Sequence, residues 1–274
     1  MRFSDDVCVV TGAGSGIGQA VARRFAAEGA RVACLDIDAA AAAATAEEIA
    51  GAQEVATAGG SARAYACDVG DNDAVEAALG RIEADFGEPL SVLHANAGIE
   101  GPIIPFWEVS PEDWDRVFAV NVRGPFLCAK HAVPSMRRKG RGSIVLTGSN
   151  SSFIAFPGWA AYTASKGAVL MLAKSLAIDL APENIRVNVV CPGPTDTAMF
   201  RRGHPSGSSG ASEAGGEPEL SVDGRLGTAD EMANVVLFAA SADSSAMTAS
   251  ALVADYGNTA RGGPTWPSEH YWTV

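Results

Sequence analysis

The chain has 274 residues, a length that suits one α/β domain with a large core. Apolar residues make up 47% of the sequence and charged residues 19%, which is the composition of a folded globular protein and excludes a disordered one. The net charge of −12 argues against nucleic acid as a partner, because neutralising phosphates requires clustered Lys and Arg. No apolar segment is long and uninterrupted enough to span a bilayer, and the first residues lack the apolar stretch of a signal peptide.

The cysteines argue against both disulfides and a metal site. They stand singly in the sequence, without the paired spacing of zinc ligands, and their odd number fits buried, reduced thiols. We therefore expect a cytoplasmic protein that binds no metal. The five are Cys8, Cys34, Cys67, Cys128 and Cys191.

Apolar runs rich in β-formers alternate with helical patterns along the chain. Continuous apolar strands separated by helices indicate a parallel sheet covered on both faces. The predicted fold is therefore α/β: a doubly wound, mostly parallel seven-stranded sheet in a single domain of residues 1–274, with ligands at the carboxyl ends of the strands. Strands are predicted at 6–11, 31–36, 62–67, 90–95, 142–147, 186–191 and 249–254, and helices at 16–28, 38–58, 71–86, within 102–138, 160–180 and 229–240.

Two segments interrupt this alternation. Residues 198–223 contain a run rich in Gly, Ser and Pro at 201–222, which predicts a flexible loop acting as a lid over the substrate. Residues 258–274 form a tail with aromatic side chains at Trp266, Tyr271 and Trp272, which we expect to dock on this subunit or on a neighbouring one.

A glycine-rich segment joins the first predicted strand to the first helix. Gly12, Gly16 and Gly18 permit a tight turn and a close approach of the backbone, while the helix amino terminus offers free N–H groups to a pyrophosphate. A purely structural turn is the alternative at this point, because a glycine-rich turn alone is weak evidence.

Asp36 ends the second predicted strand. A carboxylate there accepts hydrogen bonds from ribose hydroxyls and repels a 2′-phosphate, and no basic residue stands at Ser15 or Ile37 to attract one. The pattern favours NAD over NADP, and a solvated aspartate at a strand end is the alternative.

Tyr162 and Lys166 lie four residues apart in the helical run 160–180, so they project from one face of the helix. A lysine ammonium beside a phenol favours the phenolate, so we expect Lys166 to lower the pKa of Tyr162 and fit it for general acid–base catalysis. By themselves the two residues are equally consistent with an ordinary amphipathic helix.

Taken together, these motifs resemble those of the short-chain dehydrogenase/reductase family, over roughly residues 5–257. Ser149 stands thirteen residues before Tyr162, the family's spacing for its catalytic serine, and Asn121 matches the position of the active-site asparagine. The other matching segments are Asp68-Val69, Asn96-Ala97-Gly98, 192–197 (P-G-P-T-D-T) and 224–227 (G-R-L-G).

The resemblance implies a Rossmann-like fold and hydride transfer between a secondary alcohol and the nicotinamide of NAD. It implies that Tyr162 exchanges the hydroxyl proton, that Lys166 lowers its pKa and holds the nicotinamide ribose, and that Ser149 orients the substrate oxygen. Asn121 is expected to hold a water molecule that connects Lys166 to solvent.

The resemblance also implies binding sets for cofactor and substrate. The cofactor set is Gly12, Ser15, Gly16, Ile17, Gly18, Asp36, Ile37, Asp68, Val69, Asn96, Ala97, Gly98, Tyr162, Lys166, Pro192, Gly193, Thr195 and Thr197. The expected substrate set is Ser149, Ser151, Phe156, Trp159, Tyr162, Pro194 and Met199.

The substrate expected is a neutral cyclic, aromatic or polyol-like secondary alcohol, because aromatic residues accompany the Tyr162 helix and no basic cluster accompanies the site. An NADPH-dependent carbonyl reductase and a dinucleotide-binding regulatory protein without turnover are the alternatives. Family resemblance implies a homotetramer or dimer. His94, near the end of the fourth predicted strand, is expected to be structural rather than catalytic.

Overall fold

Seven parallel strands form one sheet in the order β3-β2-β1-β4-β5-β6-β7. The computed structural model describes residues 1–203, 221–222 and 224–260. The strands are β1 (Val7–Thr11), β2 (Arg31–Asp36), β3 (Ser61–Ala66), β4 (Val92–Ala95), β5 (Gly142–Thr147), β6 (Ile185–Pro192) and β7 (Ala251–Ala254).

Helices cover both faces of the sheet, as the sequence predicts. Alternate strand residues point to opposite faces, so Val7 and Val9 join one apolar core while Cys8 and Val10 join the other. The helices are α1 (Gly16–Ala27), α2 (Ala39–Gly51), α3 (Gln53–Ala58), α4 (Asn72–Phe86), α5 (Pro111–Phe118), α6 (Gly124–Lys139), α7 (Ala160–Leu180), α8 (Ala198–Gly203) and α9 (Ala229–Ala240). The first core lies against α4, α6 and α7, and the second against α1, α2, α3 and α9.

The strand order reverses at β1, which has β2 on one side and β4 on the other. The chain therefore leaves neighbouring strand ends in opposite directions at this point and opens a crevice beyond their carboxyl ends, where doubly wound folds bind ligands. Residues far apart in the sequence meet there: Thr11 ends β1, Ala95 ends β4 and Thr147 ends β5.

The predicted bounds are confirmed for β2, β5, α7 and α9, and two predicted helical segments differ. The single helix expected at 38–58 is wrong, because Ala52 adopts an extended conformation and separates α2 from α3. Within 102–138, α5 and α6 are joined by a π-helical turn, Ala119–Arg123. Helix α5 begins where Ser110 accepts a hydrogen bond from the backbone of Asp113 and Pro111 occupies the first turn.

The predicted lid and tail lie mostly outside the described residues. The first part of the 198–223 segment is the short helix α8, whereas residues 204–220 and 223 are not described. The tail is described only as far as residue 260. Across the described ranges, none of the helices has the length and apolar character needed to cross a membrane.

Candidate active site

The turn between β1 and α1 has room only for glycine at several positions. Gly12 and Gly16 adopt positive φ angles of 64° and 56°, and a Cβ on Gly18 would lie 2.1 Å from the carbonyl oxygen of Gly12. Ser15 precedes the helix and makes no side-chain cap, so the first N–H groups of α1 are available to an anion. Ile17, the next residue of the predicted set after Gly16, lies half-buried in the first turn of α1.

Asp36 closes the side of this turn. Its Oδ2 accepts a hydrogen bond of 2.8 Å from the Gly14 N–H, and its Oδ1 accepts one of 3.0 Å from the Asp38 N–H. A carboxylate has further lone pairs, so the half-buried Asp36 can still accept from ribose hydroxyls. The neighbouring Ile37 side chain is 72% exposed and offers an apolar surface beside it.

The segment after β4 is bonded directly to the glycine turn. Thr11 Oγ1 accepts hydrogen bonds from the N–H groups of Asn96 (2.9 Å) and Ala97 (3.0 Å). In return, Asn96 Nδ2 donates to the carbonyl oxygens of Thr11 (3.1 Å) and Gly12 (3.4 Å). A Cβ on Gly98 would lie 3.7 Å from Lys166 Nζ, so glycine at this position lets the lysine come close.

Asn121 lies in the π-helical turn and is 1% exposed. Its Oδ1 accepts from the Ile99 N–H (2.8 Å), and its Nδ2 donates to the Ile99 carbonyl (2.8 Å) and to Ser165 Oγ (3.0 Å). Both amide N–H groups are therefore used within the protein, and the side chain fixes the loop after β4 against α7. The water relay that the resemblance implies for Asn121 stays a prediction.

Lys166 is 4% exposed and donates a hydrogen bond of 2.8 Å from Nζ to the Thr147 carbonyl at the end of β5. Burial lowers the pKa of the ammonium to about 8, because the charged form loses hydration. The Nζ atom lies 5.5 Å from the centroid of the Tyr162 ring. The helix therefore brings the two side chains together, as their spacing predicts.

The predicted lowering of the Tyr162 pKa is wrong for this structure. Burial raises the pKa of the phenol to about 12, while a hydrogen bond with Ser149 acts in the opposite direction and the negative charge of Glu100 raises it further. The physical reason is that the phenol loses hydration, while the Lys166 ammonium is engaged by the Thr147 carbonyl.

Ser149 caps the short 3-10 turn Asn150–Ser152 and is buried. Its Oγ donates to Asn150 Oδ1 (2.9 Å) and accepts from the Ser151 N–H (3.1 Å), which holds it beside Tyr162. The structure thus brings Ser149, Tyr162 and Lys166 together. Ser151, one of the predicted substrate residues, is 4% exposed and supports this turn more than it lines an open surface.

Aromatic rings lead from Tyr162 towards solvent. Trp159 packs edge-on against Tyr162 with ring centroids 5.3 Å apart, and Phe156 follows 6.4 Å from Trp159. Met199, from α8, and Pro194 are half-buried. The predicted substrate wall is therefore apolar and aromatic near the phenol.

The loop after β6 reaches the glycine turn. A Cβ on Gly16 would lie 3.3 Å from Thr197 Cγ2, so the Thr197 side chain lies against Gly16 in the first turn of α1. The loop is held by a bridge between Thr195 and Gly227 and by a hydrogen bond of 2.8 Å from the Asp196 N–H to the Gly227 carbonyl. Pro192 and Gly193 carry the chain from β6 into this loop.

The Asp68-Val69 pair divides into an exposed and a buried residue. Asp68 is exposed, and its Oδ1 accepts a hydrogen bond of 2.8 Å from the Gly70 N–H. Val69 is buried and packs against Gly124, where a Cβ would lie 2.9 Å from Val69 Cγ2. Asp68 can face a ligand, whereas Val69 contributes packing.

Three contributors were missed by sequence reasoning. Glu100 acts on the phenol through its charge, the Thr147 carbonyl holds Lys166, and Ser165 bonds Asn121. Only Ser165 carried a signal, since it is adjacent to Lys166. A backbone carbonyl and a through-space charge depend on the fold and leave no pattern in the sequence.

Comparisons with known proteins agree with this geometry. A family model described as enoyl-(acyl carrier protein) reductase matches residues 12–259. The 2-(R)-hydroxypropyl-CoM dehydrogenase of Xanthobacter autotrophicus is 42% identical over 93% of this chain and 98% of its own length. The cis-4-hydroxycyclohexanecarboxylate dehydrogenase of Sinomonas cyclohexanicum is 38% identical over 94% of this chain and 98% of its own. A crystal structure of a short-chain type dehydrogenase/reductase from Mycobacterium marinum superposes with a TM-score of 0.86 at 34% identity, covering 95% of this chain and 98% of that one.

Proposed function

The chain belongs to the short-chain dehydrogenase/reductase family, and from that premise we propose an NAD-dependent dehydrogenase of neutral secondary alcohols. Membership makes it an oxidoreductase that interconverts an alcohol and its ketone with an NAD(P) cofactor. The observation that carries the proposal is that Tyr162, Ser149 and the buried Lys166 lie together at the end of β5. Hydrogen bonds from Thr147 to Asn96 and from Asn96 to Gly12 connect this end of β5 to the glycine turn. The catalytic and binding roles that follow are part of the proposal.

The glycine turn fits a dinucleotide, because Gly12 and Gly16 allow the backbone to turn tightly and the N–H groups in the first turn of α1 have no side-chain cap. When bound, the nicotinamide supplies the hydride acceptor or donor at its C4 carbon. Tyr162 Oη takes the alcohol proton during oxidation and returns it to the ketone oxygen during reduction. Ser149 Oγ would orient the substrate oxygen, and Lys166 would hold the ribose hydroxyls of the bound cofactor.

A pKa of about 12 keeps the Tyr162 phenol protonated at neutral pH, so the site is ready to donate a proton to a ketone. Alcohol oxidation needs the deprotonated form. The rate of oxidation should therefore rise with pH through the neutral range, whereas ketone reduction should not require high pH.

Replacing Tyr162 with Phe removes the proton donor and acceptor while keeping the ring that packs against Trp159. We expect turnover to fall on the order of 10²–10⁴-fold, the contribution typical of a positioned acid or base. The measurement is NADH formation from a panel of secondary alcohols, together with NADH affinity by fluorescence, which should stay largely unchanged.

The matched control is Tyr65→Phe. Tyr65 lies on β3, away from the site, and its hydroxyl donates a hydrogen bond to Asp85 of α4. This variant should keep full turnover. Near-normal turnover in Tyr162→Phe would disprove the role given to Tyr162.

NAD is proposed over NADP because Asp36 presents a negative charge beside the glycine turn. A 2′-phosphate would approach this carboxylate, and like charges brought together cost several kcal/mol. Both Asp36 oxygens are already fixed by backbone N–H groups, so the carboxylate cannot easily turn away.

The variant Asp36→Asn keeps one acceptor oxygen for the turn but removes the charge. We expect the ratio of NADPH to NADH affinity to rise by about tenfold or more, which corresponds to ~1.4 kcal/mol. Fluorescence titration with each cofactor measures this ratio without any substrate. Asp38→Asn, which keeps the cap of α2, is the control and should change the ratio much less; an unchanged ratio in Asp36→Asn would argue against the proposal.

The negative charge of Glu100 favours a neutral substrate over an anionic one. Its neighbour Ile99 is held through both N–H and C=O by Asn121, and Ile104, on the far side, donates a hydrogen bond of 3.2 Å to the Gly158 carbonyl. The loop carrying Glu100 is thus fixed beside the aromatic wall, and its negative charge acts on the Tyr162 phenol. An anionic substrate would meet that charge, whereas a neutral ring or a small diol would not.

Replacing Glu100 with Gln should raise kcat/KM for cis-4-hydroxycyclohexanecarboxylate relative to cis-4-methylcyclohexanol by about fivefold, the factor for ~1 kcal/mol between solvated charges. The Tyr162 pKa, followed by ultraviolet titration, should fall. Glu76→Gln on α4 makes the same change of net charge at an exposed position and should alter neither quantity. A relative preference for the carboxylate that is equal in wild type and Glu100→Gln would rule out charge selection by Glu100.

We also propose a homo-oligomer. Phe126 on α6 and Met171 and Ile178 on α7 are exposed large apolar side chains on neighbouring helices that both cover the same face of the sheet. Burying such side chains stabilises association. Light scattering should give the mass of two or four chains, and the mass of one chain at micromolar concentration would contradict this.

A further inference from the structure

His94 is a buried imidazole that the proposed mechanism does not use. It lies in β4, between Val10 of β1 and Val145 of β5, and is 0% exposed. Burial lowers its pKa to about 3, so the ring is neutral and carries one N–H.

The ring makes one hydrogen bond. Its Nε2 lies 3.0 Å from Thr147 Oγ1, whereas Nδ1 has no hydrogen-bond partner in the part of the chain that the structure describes. Leaving a polar atom unpartnered in the core is unfavourable, and an apolar side chain of similar size would avoid that cost. The imidazole therefore does not serve stability alone.

The direction of the hydrogen bond between His94 and Thr147 follows from the bond that Thr147 makes to Asn96. Thr147 Oγ1 donates its single proton to Asn96 Oδ1 at 3.3 Å, so towards His94 it can only accept. This arrangement of hydrogen bonds assigns the proton of the ring to Nε2. Asn96 extends this chain of hydrogen bonds to the glycine turn, because its Nδ2 donates to the carbonyls of Thr11 and Gly12.

Thr147 is the point at which this chain of bonds meets the acid–base pair. Its side chain is fixed between His94 and Asn96, and its carbonyl accepts the hydrogen bond from Lys166 Nζ. One residue at the end of β5 thus connects the glycine turn with the buried lysine.

We propose that His94 is a positioning residue, whose Nε2–H fixes Thr147 and Asn96 and through them holds both Lys166 and the glycine turn in place. The inference rests on the proposed function, because the groups it positions are those assigned to the dinucleotide and to proton transfer. His94 itself touches neither substrate nor cofactor.

The test compares His94→Met with His94→Gln in the full-length protein. Both have unbranched chains of similar length, but only Gln carries an N–H that can reach Thr147. We expect NADH to bind about tenfold more weakly to His94→Met and within about twofold of wild type to His94→Gln, measured by fluorescence. The thermal midpoint of His94→Met should not fall, because an unpartnered nitrogen is removed along with the donor.

A double-mutant cycle locates the effect. Thr147→Val keeps the backbone carbonyl but breaks the chain of side-chain bonds, so it should weaken NADH binding as much as His94→Met does. The two changes combined should cost no more than either alone, because they interrupt one pathway. Fully additive losses would overturn the proposal.

The remaining outcomes are distinct. Wild-type protein that does not bind NADH would refute the proposed function rather than this inference. Wild-type protein that binds NADH while His94→Met binds equally well would overturn the inference. If His94→Met fails to fold, the ¹⁵N chemical shifts of the wild-type imidazole decide: a protonated Nε2 supports the proposal and a protonated Nδ1 overturns it.

Discussion

The position of one buried cation determines the geometry of the site. Lys166 is almost fully enclosed, and a buried ammonium is costly unless it finds an acceptor. The Thr147 carbonyl supplies that acceptor at 2.8 Å. Because Lys166 belongs to α7 and Thr147 ends β5, this bond fixes the helix on the strand and places Tyr162, one turn earlier, at the crevice.

The parallel topology then brings the rest of the site to the same place. β1, β4 and β5 are neighbours in the sheet, so Thr11, Asn96 and Thr147 meet at their carboxyl ends although they are widely separated in the chain. Hydrogen bonds between these three residues make the glycine turn and the Tyr162–Lys166 pair parts of one bonded unit. A change in the glycine turn should therefore alter the position of Lys166, and a change at Lys166 should alter the glycine turn.

Much of this could be predicted from the sequence because it depends on periodicity and on local backbone requirements. The alternation of strands and helices gave the sheet, the glycines gave the turn, and the four-residue spacing placed Tyr162 beside Lys166. The sign of the Tyr162 pKa shift could not be predicted, because it depends on how much water the fold removes from the phenol. The break at Ala52 had a weak signal in Gly51, the last residue of α2, but the alanine-rich segments on both sides of it have high helix propensity.

The π-helical turn Ala119–Arg123 has a consequence for how the chain tolerates changes of length. A π turn takes up more residues than an α turn, and such bulges occur often at functional sites. Deleting one residue here would restore a regular helix, because the π turn is what accommodates the extra residue, and α5 and α6 would keep the faces they present to the core. Asn121 would then leave Ile99 and Ser165, whereas α5 and α6 would remain helical. A deletion in this segment would thus preserve the helices but remove Asn121 from its hydrogen bonds in the site. Insertions and deletions there should therefore be more damaging than most substitutions.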